Sequence, residues 1–162
     1  MSKKHTLVGI SQKAISADSN EVLVAPNLGS CLGVAIYDYK VKIGGMIHCL
    51  LPASQNDPEK AKQNPCMYVD TGVVLLLKEI MERGANKKDL VIKIAGCGNI
   101  NDTNNVFEIG KKNYTVLKKV LWKNGLLLKS EHVGDSFSRT VSLDIESGKV
   151  DLKINGEVFE LN

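Results

Sequence analysis

Leu28-Gly29-Ser30-Cys31-Leu32-Gly33-Val34-Ala35-Ile36-Tyr37-Asp38, followed closely by Lys42-Ile43-Gly44-Gly45-Met46-Ile47-His48-Cys49-Leu50-Leu51, decides how this chain folds. Leu32 to Asp38 and Lys42 to Leu51 are largely apolar runs of strand length, as buried strands require. The stretch around Tyr39 and Lys40 is too short for a crossover, so the two runs are expected to pair as an antiparallel hairpin. In such a pair the start of one strand faces the end of the next. Cys31 and His48 then lie at the same end of the ladder.

Working outward, Asn20 to Val24 reads as a short strand after a polar turn. Pro52 to Pro65 is polar, carries three prolines and reads as a loop. Asp70 or Thr71 is placed to cap a helix running through Met81 and ending at Gly84, with Val73, Val74, Leu77, Ile80 and Met81 at helical spacing. A strand over Leu90 to Ala95 follows, then the loop Gly96-Cys97-Gly98-Asn99. A second helix is expected from about Ile109 to Lys123, with Ile109, Val116, Leu117, Val120 and Leu121 as its buried stripe. Leu126 to His132, Thr140 to Ile145 and Val150 to Ile154 are candidate strands, and Asn155-Gly156 suits a two-residue hairpin turn. Strands with two inserted helices imply an α+β fold of layered mixed β-sheets with flanking helices, as one domain over residues 1–162.

The bulk properties narrow the function. The 162 residues are 43% hydrophobic and 24% charged, enough to bury a core without covalent staples. Twenty-one Lys and Arg against 18 Asp and Glu leave a net charge of +3, too mild to point to nucleic acid. Lys118, Lys119 and Lys123 fall within the second helix and read as a solvated face. The apolar run after Lys3-Lys4 is too short for a secretory signal, and no segment reaches the ~20 apolar residues of a membrane span. The expectation is a cytoplasmic protein without membrane insertion. Four cysteines, Cys31, Cys49, Cys66 and Cys97, show no C-x-x-C spacing, so neither a metal site nor any cofactor is expected.

Cys31 stands apart from the other three. Glycine at the Gly29-Ser30-Cys31 turn permits close backbone approach, and backbone N–H groups there can converge on one oxygen, which is what an oxyanion hole needs. A free thiol, with a pKa of about 8.5, requires a basic partner to act as a nucleophile near neutrality. His48 is the candidate partner. A cysteine among apolar residues is otherwise a small buried hydrophobe, and a histidine on an apolar strand a hydrogen-bonded core residue. The residues alone leave both readings open.

In order along the chain, these segments resemble the CheD family, the chemoreceptor glutamine deamidases of bacterial and archaeal chemotaxis. The resemblance is carried by Leu28-Gly29-Ser30-Cys31, Val34 to Asp38, Gly44-Gly45-Met46-Ile47-His48, Leu51-Pro52 and Tyr68-Val69-Asp70-Thr71. It continues through Lys93 to Asn99, Ile109-Gly110-Lys111-Lys112-Asn113, His132-Val133-Gly134 and Arg139. It implies a protein-glutamine glutaminase with Cys31 as nucleophile, His48 as general base and the Gly29-Ser30 turn around the oxyanion. It also implies a fold like that of glutamine-deamidating toxins, chemoreceptor cytoplasmic helices as substrate and the phosphatase CheC as partner. The family usually has threonine six positions before the cysteine, orienting the histidine; here that position is Ala25. The resemblance therefore leaves the orienting role to a neighbour such as Asn27, to a backbone carbonyl or to water. The alternative is a catalytically weak or silent chemotaxis module that binds receptor or CheC. A cysteine peptidase or amidase with another substrate would use the same dyad.

Overall fold

The computed structural model describes residues 2–99 and 108–162. The hairpin forms as expected. Strand β4 (Leu32–Asp38) pairs antiparallel with β5 (Ile43–Cys49), with Gly33 opposite His48 and Asp38 opposite Ile43. The buried Asp38 carboxylate stabilises the reversal by accepting from the Lys40 and Val41 amides, and it also accepts from Asn86 N–H.

This pair is the centre of one of two five-stranded sheets. Strand β2 (Gln12–Ser16) adds to β5, β6 (Leu90–Gly96) adds antiparallel to β4, and β7 (Ser130–Val133) runs parallel to β6. The second sheet orders β1 (Lys4–Leu7), β3 (Glu21–Leu28), β8 (Arg139–Asp144), β9 (Val150–Ile154) and β10 (Glu157–Glu160). Asn155 and Gly156, both at positive φ, make the β9–β10 turn.

Alternation along β4 and β5 explains the layering, because successive side chains on a strand point to opposite faces. Leu32, Val34, Ile36, Ile47 and Cys49 join a core with Val69, Val73, Leu76, Leu77 and Ile80 of helix α2 (Val69–Glu82). Leu117, Val120 and Leu121 of helix α3 (Ile109–Lys123) complete that core. The opposite faces supply Cys31, Ala35, Tyr37 and Met46 to a second core shared with Leu23, Ala25, Leu28, Val141, Leu143 and Leu152 of the other sheet. The result is sheet, sheet and helices in three layers, the α+β arrangement expected.

Several details depart from the sequence reading. The two N-terminal strands were not anticipated. The proline-rich loop contains a short helix, α1 (Pro58–Gln63), capped by the Asp57 carboxylate on the Lys60 amide. Helix α2 starts after Tyr68 rather than at an Asp70 or Thr71 cap, and Asp70 instead accepts from the Ser54 amide and hydroxyl. The buried stripe of α2 takes Val69 and Leu76, while Val74 and Met81 are exposed. Strand pairing within Leu126 to His132 is confined to its end, in β7. Lys118, Lys119 and Lys123 are exposed, as expected of a solvated helix face. Among the described residues, no helix is long and apolar enough to cross a membrane.

Candidate active site

Cys31 sits immediately before β4, and His48 lies on the neighbouring strand opposite Gly33. Counting by twos from Gly33 puts Cys31 on the same face as His48, the face turned toward the second sheet. The pair is diagonal across the ladder, a relation that keeps Cα atoms roughly 7–8 Å apart and Cβ atoms closer. Both are buried: Cys31 is 6% exposed and His48 1%.

The imidazole is held by the backbone. His48 Nδ1 lies 3.1 Å from the Val8 carbonyl oxygen. A carbonyl can only accept, so Nδ1 carries the proton and Nε2 is left with its lone pair. Among the described residues, Nε2 has no hydrogen-bond partner, the Cys31 thiol included. Val8 is delivered by the segment in which the chain leaves β1 in one sheet for β2 in the other. It is pinned there by its own N–H to the Val24 carbonyl and by Ser11 N–H to the His48 carbonyl. The position the resemblance gives to threonine holds Ala25, fully buried on β3. Asn27 is exposed, at positive φ, in the bulge between Ala25 and Leu28, and its backbone N–H donates to Thr140 Oγ1. A carbonyl in a loop between sheets has no side-chain signature, so no sequence motif could have revealed Val8.

The turn bearing Cys31 is gripped from β6 and the loop after it. Cys97 N–H donates to the Cys31 carbonyl and Gly98 N–H to the Gly29 carbonyl, each at 2.8 Å. That loop is in turn braced by Arg139, whose side chain is fully buried. Its guanidinium donates to Gly96 O, Gly134 O and His132 Nδ1, and it lies 4.6 Å from the Phe137 ring centre. A buried guanidinium is costly unless its donors are used, and here the carbonyls of two loops use them.

Burial sets the protonation states. It pushes the Cys31 thiol above its ordinary value, opposed in part by Cys31's own backbone N–H. Burial pulls His48 below 6.5, with the Val8 hydrogen bond working the other way. At neutral pH the resting pair is therefore thiol and neutral imidazole rather than thiolate and imidazolium. Cys49 and Cys66 are raised by burial too, and Cys97 is pushed up to about 12. Two pH signatures follow. The acid limb of kcat/KM, which reports the free enzyme, should fall below 6.5. Iodoacetamide alkylation of Cys31 should keep accelerating beyond pH 9.0 without a plateau near neutrality. Stopped assays across pH, with peptide mapping of the alkylated cysteine, read both; a labelling plateau near neutrality would mean a preformed ion pair.

A buried thiol and an anchored imidazole share one inner sheet face of this α+β protein, beside a glycine-bearing turn. Comparison with known proteins then identifies the lineage. The chain matches the family model for CheD chemotactic sensory transduction over residues 50–154. It is 44% identical to the "Probable chemoreceptor glutamine deamidase CheD" of Solibacter usitatus, across 96% of this chain and 92% of that protein. It is 45% identical to the corresponding CheD 1 of Syntrophus aciditrophicus, across 93% and 94%. With the protein of the same description from Thermococcus kodakarensis it shares 38% identity, across 94% and 96%. The chain belongs to the CheD family. Among solved structures, a Bacillus licheniformis hypothetical protein, YfiH, aligns at a TM-score of 0.46 and 15% identity, over 76% of this chain and 49% of that one.

Proposed function

We propose that this protein is a chemoreceptor glutamine deamidase that works through the Cys31 thiol, in the cytoplasm, on receptor cytoplasmic helices. The observation that carries this reading is the His48 ring: Nδ1 is tied to Val8 O, and the lone pair of Nε2 is uncommitted among the described residues, on the face that also bears Cys31.

The chemistry runs as follows. As a glutamine side chain enters, His48 Nε2 takes the thiol proton and Cys31 Sγ bonds to the amide carbon. The carbonyl oxygen becomes an oxyanion, held by backbone N–H groups of the Gly29-Ser30-Cys31 turn, the Cys31 N–H foremost. The carbon–nitrogen bond breaks as His48 returns the proton to nitrogen, and ammonia leaves. A water, deprotonated by His48, attacks the thioester; the carbon–sulfur bond breaks, and glutamate and thiol are restored. The sum is glutamine plus water giving glutamate plus ammonia. Ala25 does not silence the site on this reading, because the Val8 carbonyl supplies the acceptor that the family's threonine side chain would provide. CheC is the expected protein partner.

The test is to incubate the protein with a chemoreceptor cytoplasmic fragment, following ammonia release and the small mass gain of amide becoming acid. Stoichiometric conversion of mapped glutamines supports the reading. Tight binding of the fragment with no ammonia released identifies a silent binding module instead.

A further inference from the structure

Asn113 is the one polar residue in the buried stripe of α3, in register with Leu117, Val120 and Leu121, and it is fully buried. The mechanism above makes no use of it. Its Nδ2 donates to the Ser30 carbonyl at 2.9 Å and to the Leu50 carbonyl at 3.2 Å. Both amide hydrogens are thereby spent. The opposite amide orientation would set Oδ1 against two carbonyl oxygens, so only this one bonds. Oδ1 is buried and, among the described residues, has no partner. An apolar residue would have filled the stripe without that cost, which is of the order of 1–3 kcal/mol for an unsatisfied buried polar atom.

The two acceptors are informative. Ser30 C=O belongs to the same planar peptide unit as Cys31 N–H, so fixing the oxygen fixes the direction of that N–H. Leu50 lies two residues beyond His48, past the end of β5. One side chain thus spans the turn that carries the thiol and the strand end that carries the imidazole. The helix is seated closely enough to do this because Gly110 lets its first turn touch the loop: a Cβ there would lie 2.4 Å from the Gly98 carbonyl oxygen.

We propose that Asn113 is a positioning residue, clamping the Ser30–Cys31 peptide to the Leu50 end of β5 so that the Cys31 N–H is aimed at the oxyanion and thiol and imidazole keep their spacing. This rests on the deamidase reading of the site. Removing the clamp should affect the step in which the oxyanion forms more than the binding of substrate.

The test compares Asn113→Ala with Thr115→Ala, a control on the same helix whose hydroxyl donates only to Lys111 O on the exposed side. With the receptor fragment as substrate, Asn113→Ala should lose about 10–100-fold in kcat, with KM within about twofold. Circular dichroism at the assay temperature should match the parent. Alkylation of Cys31 by iodoacetamide needs no oxyanion donor and should stay within about threefold of the parent. Thr115→Ala should be unchanged in all three. A folded Asn113→Ala with parental kcat overturns the proposal, and so does a kcat loss matched by an equal loss in Thr115→Ala.

Hydrogen exchange separates this outcome from failure of the deamidase reading. The Cys97 and Gly98 amides, bonded to Cys31 O and Gly29 O, should exchange faster in Asn113→Ala by at least about tenfold beyond any change shared by the core amides of β4 and β5. An inactive parent with that acceleration refutes the deamidase reading and keeps the clamp. Unchanged exchange refutes the clamp, whatever the parent's activity.

Discussion

Cys31→Ala is expected to abolish ammonia release from a receptor fragment, by roughly 10⁴-fold or more, while leaving the protein folded. The size follows from the chemistry. On the proposed mechanism, without sulfur no covalent intermediate forms and His48 has no aligned nucleophile to deprotonate. The structural loss is small, because only one sulfur atom is removed and alanine keeps the Cβ in the core; about 1 kcal/mol is expected. Cys97→Ala is the matched control. It removes the same atom from the residue whose N–H holds the Cys31 carbonyl, and that backbone bond survives the change. Deamidation by Cys97→Ala should stay near the parent level. Ammonia release that survives in Cys31→Ala would locate the chemistry elsewhere than at the Cys31 thiol. Receptor binding should survive Cys31→Ala, which also makes that variant a means of trapping the substrate complex.

The contrast between Cys31 and the other thiols shows which parts of the site were legible in the sequence. Period-two alternation in Leu32–Asp38 and Ile43–Cys49 is enough to place Cys31 and His48 on one face, once the short connection makes the pairing antiparallel. The same alternation sends Cys49 to the helix-side core, away from Cys31. Helix α3 and strands β4 and β9 have the boundaries that their apolar spacing implies. What was not legible is of two kinds. Strands β1 and β2 are mostly exposed or half-buried and lie at the sheets' edges, so Lys4-His5-Thr6-Leu7 and Gln12-Lys13-Ala14-Ile15-Ser16 lack the apolar content that marks a core strand. They form because β3 and β5 offer them backbone partners. The second kind is contact made by the backbone. The Val8 carbonyl on His48 and the Ser30 and Leu50 carbonyls on Asn113 depend on where the chain passes, not on which side chain it carries. In α2 the buried stripe takes Val69 and Leu76 in place of Val74 and Met81, so it lies a step round the helix from the expected one.

Gly96→Ala is expected to destabilise the fold by at least about 3 kcal/mol, a large share of the ~5–15 kcal/mol that holds a domain together. Two effects combine at this glycine. Its φ is +105°, a conformation that L side chains rarely adopt. A Cβ there would also lie 2.2 Å from the Cys31 carbonyl oxygen and 3.2 Å from Leu28 Cβ. The clash has no cheap escape. Gly96 O is held by Arg139 Nη1 at 3.1 Å and by Gly134 N–H at 3.0 Å, while the Cys31 carbonyl is held by Cys97 N–H at 2.8 Å. Either the β6 end leaves Arg139 or the Cys31 turn leaves Cys97. Gly134 isolates the clash from the strain, since its φ is +86° but nothing lies within 4 Å of its Cβ position. Gly134→Ala should therefore cost only the conformational part, about 1–2 kcal/mol. Urea denaturation of both variants at one pH measures the difference directly. Equal losses would mean that the Cys31 turn yields freely to β6, and the rigid seating of Cys31 inferred from these contacts would be wrong. If the gap appears, whatever folded Gly96→Ala remains should also be a poor deamidase on the proposed mechanism, because the atom the new methyl displaces belongs to Cys31.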